Sequence, residues 1–378
     1  MSLLETLPAA PRNDPPAMKA LRAEAHERLA SEGLPTKKTE AWRFTNVTAL
    51  TGESLEPGPS TLAFELPSGV TRVERESLEA FAAGPFASLN AALADETVVL
   101  RAEGAVSEAL SLRYTGAAHA SYPRVRLEVA KHTELTLVER FEGEGALTDA
   151  VLEVVLEDGA RLTHVRIQRD EGRLIGLVNV SQGRDSHYGA HVVTLGGQLQ
   201  RLDLKVGLDG TGASCDLRGF YAVDGQEHVD HHVKVDHRAT HGTSHQVFRG
   251  IADGKGVAVF DSQAIVHRTG AHAEAHQENR NLLLSASAGV HTKPHLEIDH
   301  DEVIASHGAT VGALDEDSLF YLRSRGIPTE LARGILIHAF AHEPLAGMPE
   351  ALMSEVEGAL LERLPASDAL ADLGEGLS

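Results

Sequence analysis

Of the chain's 21 histidines, 13 fall between His228 and His307. Imidazole is the side chain best suited to bind a borderline metal or to move a proton near neutral pH. The run HVDHHVKVDHRATHGTSH holds six of them. If that run is extended, His228, Asp230, His232, Lys234 and Asp236 share one face, and Val229, His231, Val233, Val235 and His237 share the other. Such a face could ligate a metal, since imidazole and carboxylate at alternate positions converge. The competing reading is a polar ladder on a solvated or interfacial sheet face, and the spacing matches no H-E-x-x-H or paired-cysteine signature. AHAEAHQENRN adds His272, Glu274, His276 and Glu278 at the same period, without the second histidine box that a cupin-like site needs. DEVIASHGATVGALDED (301–317) sets His307 beside Gly308 with carboxylates on both sides. That histidine fits a metal ligand, a general base or a polar residue at a chain reversal. The single cysteine, Cys215, has no adjacent motif and reads as a small buried apolar residue. It cannot form a disulfide within the chain or an all-cysteine metal site. No nucleophile elbow, phosphate loop or dinucleotide fingerprint is present.

The elements that must position these residues are read from periodicity. Residues 14–33 are expected to form a helix, with Asp14 as cap, Pro15 and Pro16 in the first turn, and Leu21, Ala25 and Leu29 on one face. Gly33 and Pro35 end it. TKKTEAWRFTNV follows and holds the only tryptophan, Trp42. GESLEPGPS reads as a linker, and 74–95 as a weak helix. From about Glu96 short runs of β-branched and aliphatic residues succeed one another with Gly, Asp and Asn between them. In one, Val151, Glu153, Val155 and Glu157 alternate with Leu152, Val154 and Leu156. The absence of amphipathic helices between these runs excludes a doubly wound α/β fold. Recurrent corners such as DGARL and GAHVV favour a β-solenoid, with coils of about 20 residues or more, over a sandwich or barrel. Near residue 315 the period returns to helical. Asp315 is the expected cap, with Leu319, Phe320 and Leu322 on the apolar face and Gly326 as the stop. Two more helices follow, over PTELARGILIHAFAHE and PEALMSEVEGALLERLP. The domain reading is a mostly helical region over 1–95, a β core over 96–312 and a helical region over 313–378.

Composition narrows the function classes. With 34 basic and 55 acidic residues the formal charge is −21, which repels phosphate backbones and anionic lipid, so neither nucleic-acid nor membrane binding is expected. The N-terminus lacks the basic and apolar regions of a secretory signal, and no apolar run approaches the ~20 residues of a membrane span. A cytoplasmic protein is expected.

KKTEAWRFTNV, TSHQVFRGIADGKGVAVFDSQAIVH, the stretch from NRNLLLSASAGVH to DSLFYLRSRGI, and ARGILIHAF together resemble the SufB/SufD family of the SUF iron–sulfur cluster assembly machinery. The N-terminal element, and Gly308 where the SufB branch has Glu, make the resemblance one to the SufD branch, with SufB as the alternative. The resemblance implies a right-handed parallel β-helix between N- and C-terminal helical parts. It implies a non-catalytic scaffold that pairs with SufB and binds the ATPase SufC, to which ATP hydrolysis belongs. It further implies that His307 is an iron or cluster ligand at the SufB interface, with a transient iron or nascent cluster there and nothing bound tightly by the chain alone. Many SufD sequences have Cys where this chain has Ala305, which removes any second ligand of that kind. Physical candidates for SufC docking are Leu319, Tyr321, Arg323, Arg325 and Ile327, and homodimerisation is expected in the absence of partners. The reading from a different class is a stand-alone His-rich metal-binding β-solenoid enzyme.

Overall fold

A computed structural model describes residues 16–47, 50, 57–75 and 83–365. It is mainly β and forms a parallel β-solenoid of about 8 turns with helices at both ends. The core strands are β3 (Val98–Ala102), β4 (Leu110–Thr115), β5 (Ala120–Ser121), β6 (Arg124–Val129), β7 (Glu134–Gly143), β8 (Leu147–Leu156), β9 (Arg161–Asp170) and β10 (Arg173–Gln182). They continue as β11 (His187–Leu195), β12 (Leu199–Leu208), β13 (Ser214–Val223), β14 (His228–His237), β15 (Thr243–Ala252), β16 (Val257–Val266), β17 (Ala273–Leu283), β18 (Gly289–Ile298) and β19 (Val303–Gly312). Beyond β5 successive strands alternate between a 10-stranded and a 9-stranded sheet, and each pairs in parallel with the strand two further on. The coil lengthens along the chain, from 26 residues (Thr148↔Leu174) to 32 (Val257↔Gly289).

One corner shows why the coils stack in register. His132, Gly159, Asp185, Gly212, His241 and His272 all take positive φ, between 54° and 73°. In each coil that residue's amide donates to a carbonyl of the next, from His132 N to Asp158 O (3.1 Å) through His272 N to Glu302 O (2.7 Å). Gly reaches this conformation without strain, and Asp and His are among the residues that tolerate it. His272, expected on a strand face with His276, belongs to this turn ladder instead.

Both faces of each sheet find a partner over most of their length, so the strands read as near-continuous apolar runs. The lumen is filled by residues such as Leu127, Leu152, Val178, Leu204 and Val233. The outer face of the 10-stranded sheet is covered by α1 (Pro16–Glu32), α2 (Pro85–Leu93) and the turn at 40–42, through Leu21, Leu29, Phe86, Leu89 and Trp42. The outer face of the 9-stranded sheet, with Ile167, Val193, Phe220 and Ile251, takes the C-terminal helices α4 (Thr329–His342) and α5 (Glu350–Arg363), and α3 (Glu316–Ser324) packs against α4. The expected cap Asp14 and tail 366–378 lie outside the described residues. Two strands absent from the expected helical N-terminal region, β1 (Leu62–Glu65) and β2 (Val70–Arg72), pair antiparallel with β4 and β3. They close one end of the solenoid. At the other end β18 and β19 are edge strands, and none of their residues is buried.

Candidate functional site

The site is built at that open end by β15, β17 and β19. In-register pairing carries one row of side chains through Gln246, Gln277 and His307, and the adjacent row through His245, His276 and Ser306. Alternation puts the two rows on opposite faces. Ser262 Oγ, from the other sheet, donates to Gln246 Oε1 (2.8 Å), which fixes the first row as the lumen-facing one. His307 therefore looks into the mouth of the solenoid. On the outer face His245 and His276 stack with ring centroids 5.1 Å apart, and His276 Nδ1 shares a hydrogen bond with Ser306 Oγ (2.8 Å). A cleft of about 570 Å³ is lined by both rows and by Glu278, Arg280 and Thr310. Ala305 continues a lumen column through Ala275, Ser244 and Cys215. Cys215 is buried, and burial pushes its thiol well above the usual range, leaving it protonated and inert.

The histidine-rich strand β14 serves a different purpose. His231 and His237 point into the lumen and are buried. The opposite face, expected to be a metal-binding, solvated or interfacial ladder, is partly covered by this chain's own residues 40–47. Arg201 is stacked on the Trp42 ring (3.7 Å) and donates to Ala41 O (2.8 Å), to Asp203 (2.8 Å) and to Asp230. Thr45 Oγ1 also donates to Asp230. Burial alone would raise the Asp230 carboxyl, but Arg201, His232 and Thr45 hold it well below the usual carboxylate range. The strap ends on edge strand β18, where Phe44 stacks on His291 (4.1 Å, 11°) and Lys293 pairs with Glu40 (3.0 Å). No group of three or more His, Cys, Asp or Glu among the described residues is arranged to hold a metal ion.

The C-terminal helices stand beside the cleft. Asp315 caps α3 by accepting from Ser318 N (3.0 Å). Leu319, expected on a docking surface, is buried, while Phe320, expected on the packed face, is 71% exposed. Helical spacing located a stripe there but not its orientation, which packing against α4 decides. Tyr321 is 57% exposed with the Arg325 guanidinium over its ring (5.0 Å). Arg323 is exposed and Ile327 half-buried. Arg249, wholly buried on β15, pairs with Glu278 of the cleft (2.8 Å) and Glu343 after α4 (2.6 Å). Neither Arg249 nor Gln277 announces itself in the sequence; Gln277 is found through its register with His307, and Arg249 through its ion pair with Glu278.

Residues 112–340, from Leu112 in β4 to Phe340 in α4, match the family model described as "SUF system FeS cluster assembly, SufBD core domain". The chain belongs to the SufBD family. The SufBD match contains the cleft, His307 and the exposed surface of α3. An Arabidopsis thaliana relative, protein ABCI7, chloroplastic, is 31% identical over 92% of this chain and 86% of its own length. The iron–sulfur cluster assembly protein SufD of Escherichia coli is 28% identical over 91% of this chain and 93% of its own. A SufBD family protein of Synechocystis is 33% identical over 60% of this chain, a match that spans about half, 53%, of that relative's length. The family is one of the SUF system of iron–sulfur cluster assembly. No helix among its described residues is long and apolar enough to cross a membrane.

Proposed function

We propose that this chain is the SufD-type scaffold subunit of a cytoplasmic SUF complex. It pairs the open end of its solenoid with SufB, docks the ATPase SufC on the α3–α4 surface, and performs no catalysis itself. The observation that carries this reading is the uncapped end. Edge strands β18 and β19 expose Ile298, Ile304 and Val311 (42%, 60% and 43%) and present unpaired backbone beside a lumen-facing histidine. Such an edge requires a partner strand or it invites aggregation. His307 then offers one imidazole to a transient iron or nascent cluster, with thiolate ligands from SufB, since one neutral nitrogen cannot hold a cluster alone. For SufC, exposed Phe320 and Tyr321 and half-buried Ile327, with flanking Arg323 and Arg325, supply an aromatic and cationic anchor. Leu319 supports that surface from beneath.

Co-expression with SufB and SufC tests the proposal. The expected result is a stable three-component complex in which His307→Ala leaves assembly intact and cuts cluster formation at least tenfold. Normal cluster formation in that variant removes His307 from the mechanism, and a chain that never co-purifies with SufB defeats the scaffold reading.

A further inference from the structure

Gln277 breaks the rule that buried polar atoms have partners. It is 5% exposed, and neither Oε1 nor Nε2 has a hydrogen-bond partner among the described residues. Its neighbour Asn279, two positions along the same lumen-facing row, shows what a satisfied amide looks like here. Asn279 Nδ2 donates to the Tyr221 hydroxyl (3.0 Å) and Phe248 O (3.3 Å), and Asn279 Oδ1 accepts from Thr292 (2.8 Å) and Asn281 (2.6 Å). Size does not demand a glutamine, because Leu217 stands in the same ladder one coil before Gln246. A leucine in place of Gln277 would remove two orphaned polar atoms from the lumen. His307, directly above it in register, likewise has no hydrogen-bond or ion-pair partner among the described residues. Adjacent in-register strands lie about 4.8 Å apart, and both residues line the cleft at the mouth.

We infer that Gln277 and His307 form a paired donor site for ferrous iron, the carboxamide oxygen and the imidazole nitrogen binding the same ion before partner thiolates complete its shell. The inference deepens the proposed function and rests on it for the identity of the cargo. Carboxamide oxygen and imidazole nitrogen are donors suited to a divalent first-row metal. Two neutral donors hold such an ion loosely, which suits an entry point rather than a resting site. The lost stability of an unpaired amide is then the cost of keeping a vacant oxygen donor beside the histidine.

The test uses the full chain, purified without partners under anaerobic conditions and titrated with Fe²⁺ against a chromogenic ferrous chelator. Expected are weak uptake by the wild type, an affinity at least tenfold lower for Gln277→Leu and for His307→Ala, and a higher Tm for Gln277→Leu. Gln277→Glu should bind more tightly. Gln277→Met, close to glutamine in shape, serves if the leucine variant fails to fold. Uptake by Gln277→Leu equal to wild type overturns the inference and marks the carboxamide as a site for water only. Absence of Fe²⁺ uptake by the wild type overturns it too. Either result leaves the scaffold reading standing, because that reading is decided by co-purification with SufB.

Discussion

His231 and His237 carry imidazoles in the lumen, where water cannot solvate a charge. Burial depresses His231 to about 3, against a smaller upward pull from Asp230. His237 is depressed to about 4 by the same cause, opposed by a backbone hydrogen bond at Gly242. Both fold as neutral rings, so the stability they permit is complete above about pH 6.5 and is lost as pH falls towards 4 and 3, where the unfolded chain binds protons that the folded chain refuses. Glu139 acts in a different window. Burial would raise its carboxyl, but Arg166, with hydrogen bonds from His164 and Tyr114, holds it down at about 2. Its contribution is complete above about 4.5 and is lost only as pH falls from there towards 2. Of these three groups only the histidines act between pH 6.5 and 4.5. Tm should fall by several degrees across that interval. His231→Gln, which keeps a hydrogen-bonding group for Thr194 (3.0 Å from His231 Nε2), should flatten the dependence. Thermal unfolding followed at a series of pH values measures both slopes, and equal slopes in the two proteins would show that His231 is not the titrating group.

Secondary elements outside the solenoid are fastened to it by buried arginines. Arg201 holds the 40–47 strap through Trp42, and Arg249 holds the turn after α4 through Glu343. Arg140 adds a two-pronged pair with Glu355 of α5 (2.7 and 2.8 Å). Surface ion pairs contribute little, but a fully buried guanidinium that loses its partners is costly. Arg249→Met keeps the aliphatic volume and removes both carboxylate contacts. It should loosen the α3–α4 unit while the coils stay intact, costing about 1.5–3 kcal/mol, the range for lost hydrogen bonds to charged groups. Limited proteolysis should then cut between residues 312 and 329 at least several-fold faster, with far-UV circular dichroism unchanged. Unaltered proteolysis would mean that the apolar contacts of Ile337, Ala341 and Leu345 suffice.

At the scale of the molecule the two ends of the solenoid are unequal. β1 and β2 close one end, whereas β18 and β19 leave the other with exposed edges and a polar mouth. A chain without its partner is expected to pair these edges with a second copy. Ile304, 60% exposed on β19, is a position where a charge blocks strand addition without entering the lumen. Sedimentation should show concentration-dependent dimers for the wild type and monomers for Ile304→Lys, with equal Tm extrapolated to low concentration. A wild-type chain that stays monomeric at all concentrations would refute pairing through this end.

The sequence by itself determined the succession of elements. Period-two alternation in DAVLEVVLEDG, the glycine corners, and the cap and stop at Asp315 and Gly326 are local signals, and local physics decides them. It also determined that a lone, motif-free cysteine would be a packing residue. What it could not settle depends on which residues meet across 26 or more positions. ASHGATV is nearly even in polarity, so its alternation defines two faces without saying which one looks into the lumen. Only pairing with Ala275 and Gln277 places His307 at the mouth. HVDHHVKVDH shows its two faces plainly, yet the burial of Asp230 depends on Thr45, 185 positions away. The exposure of Phe320, while Leu319 of the same stripe is packed, likewise follows from how α3 meets α4. Faces and periods are properties of the chain; what covers each face is a property of the folded molecule, because burial is settled by distant partners.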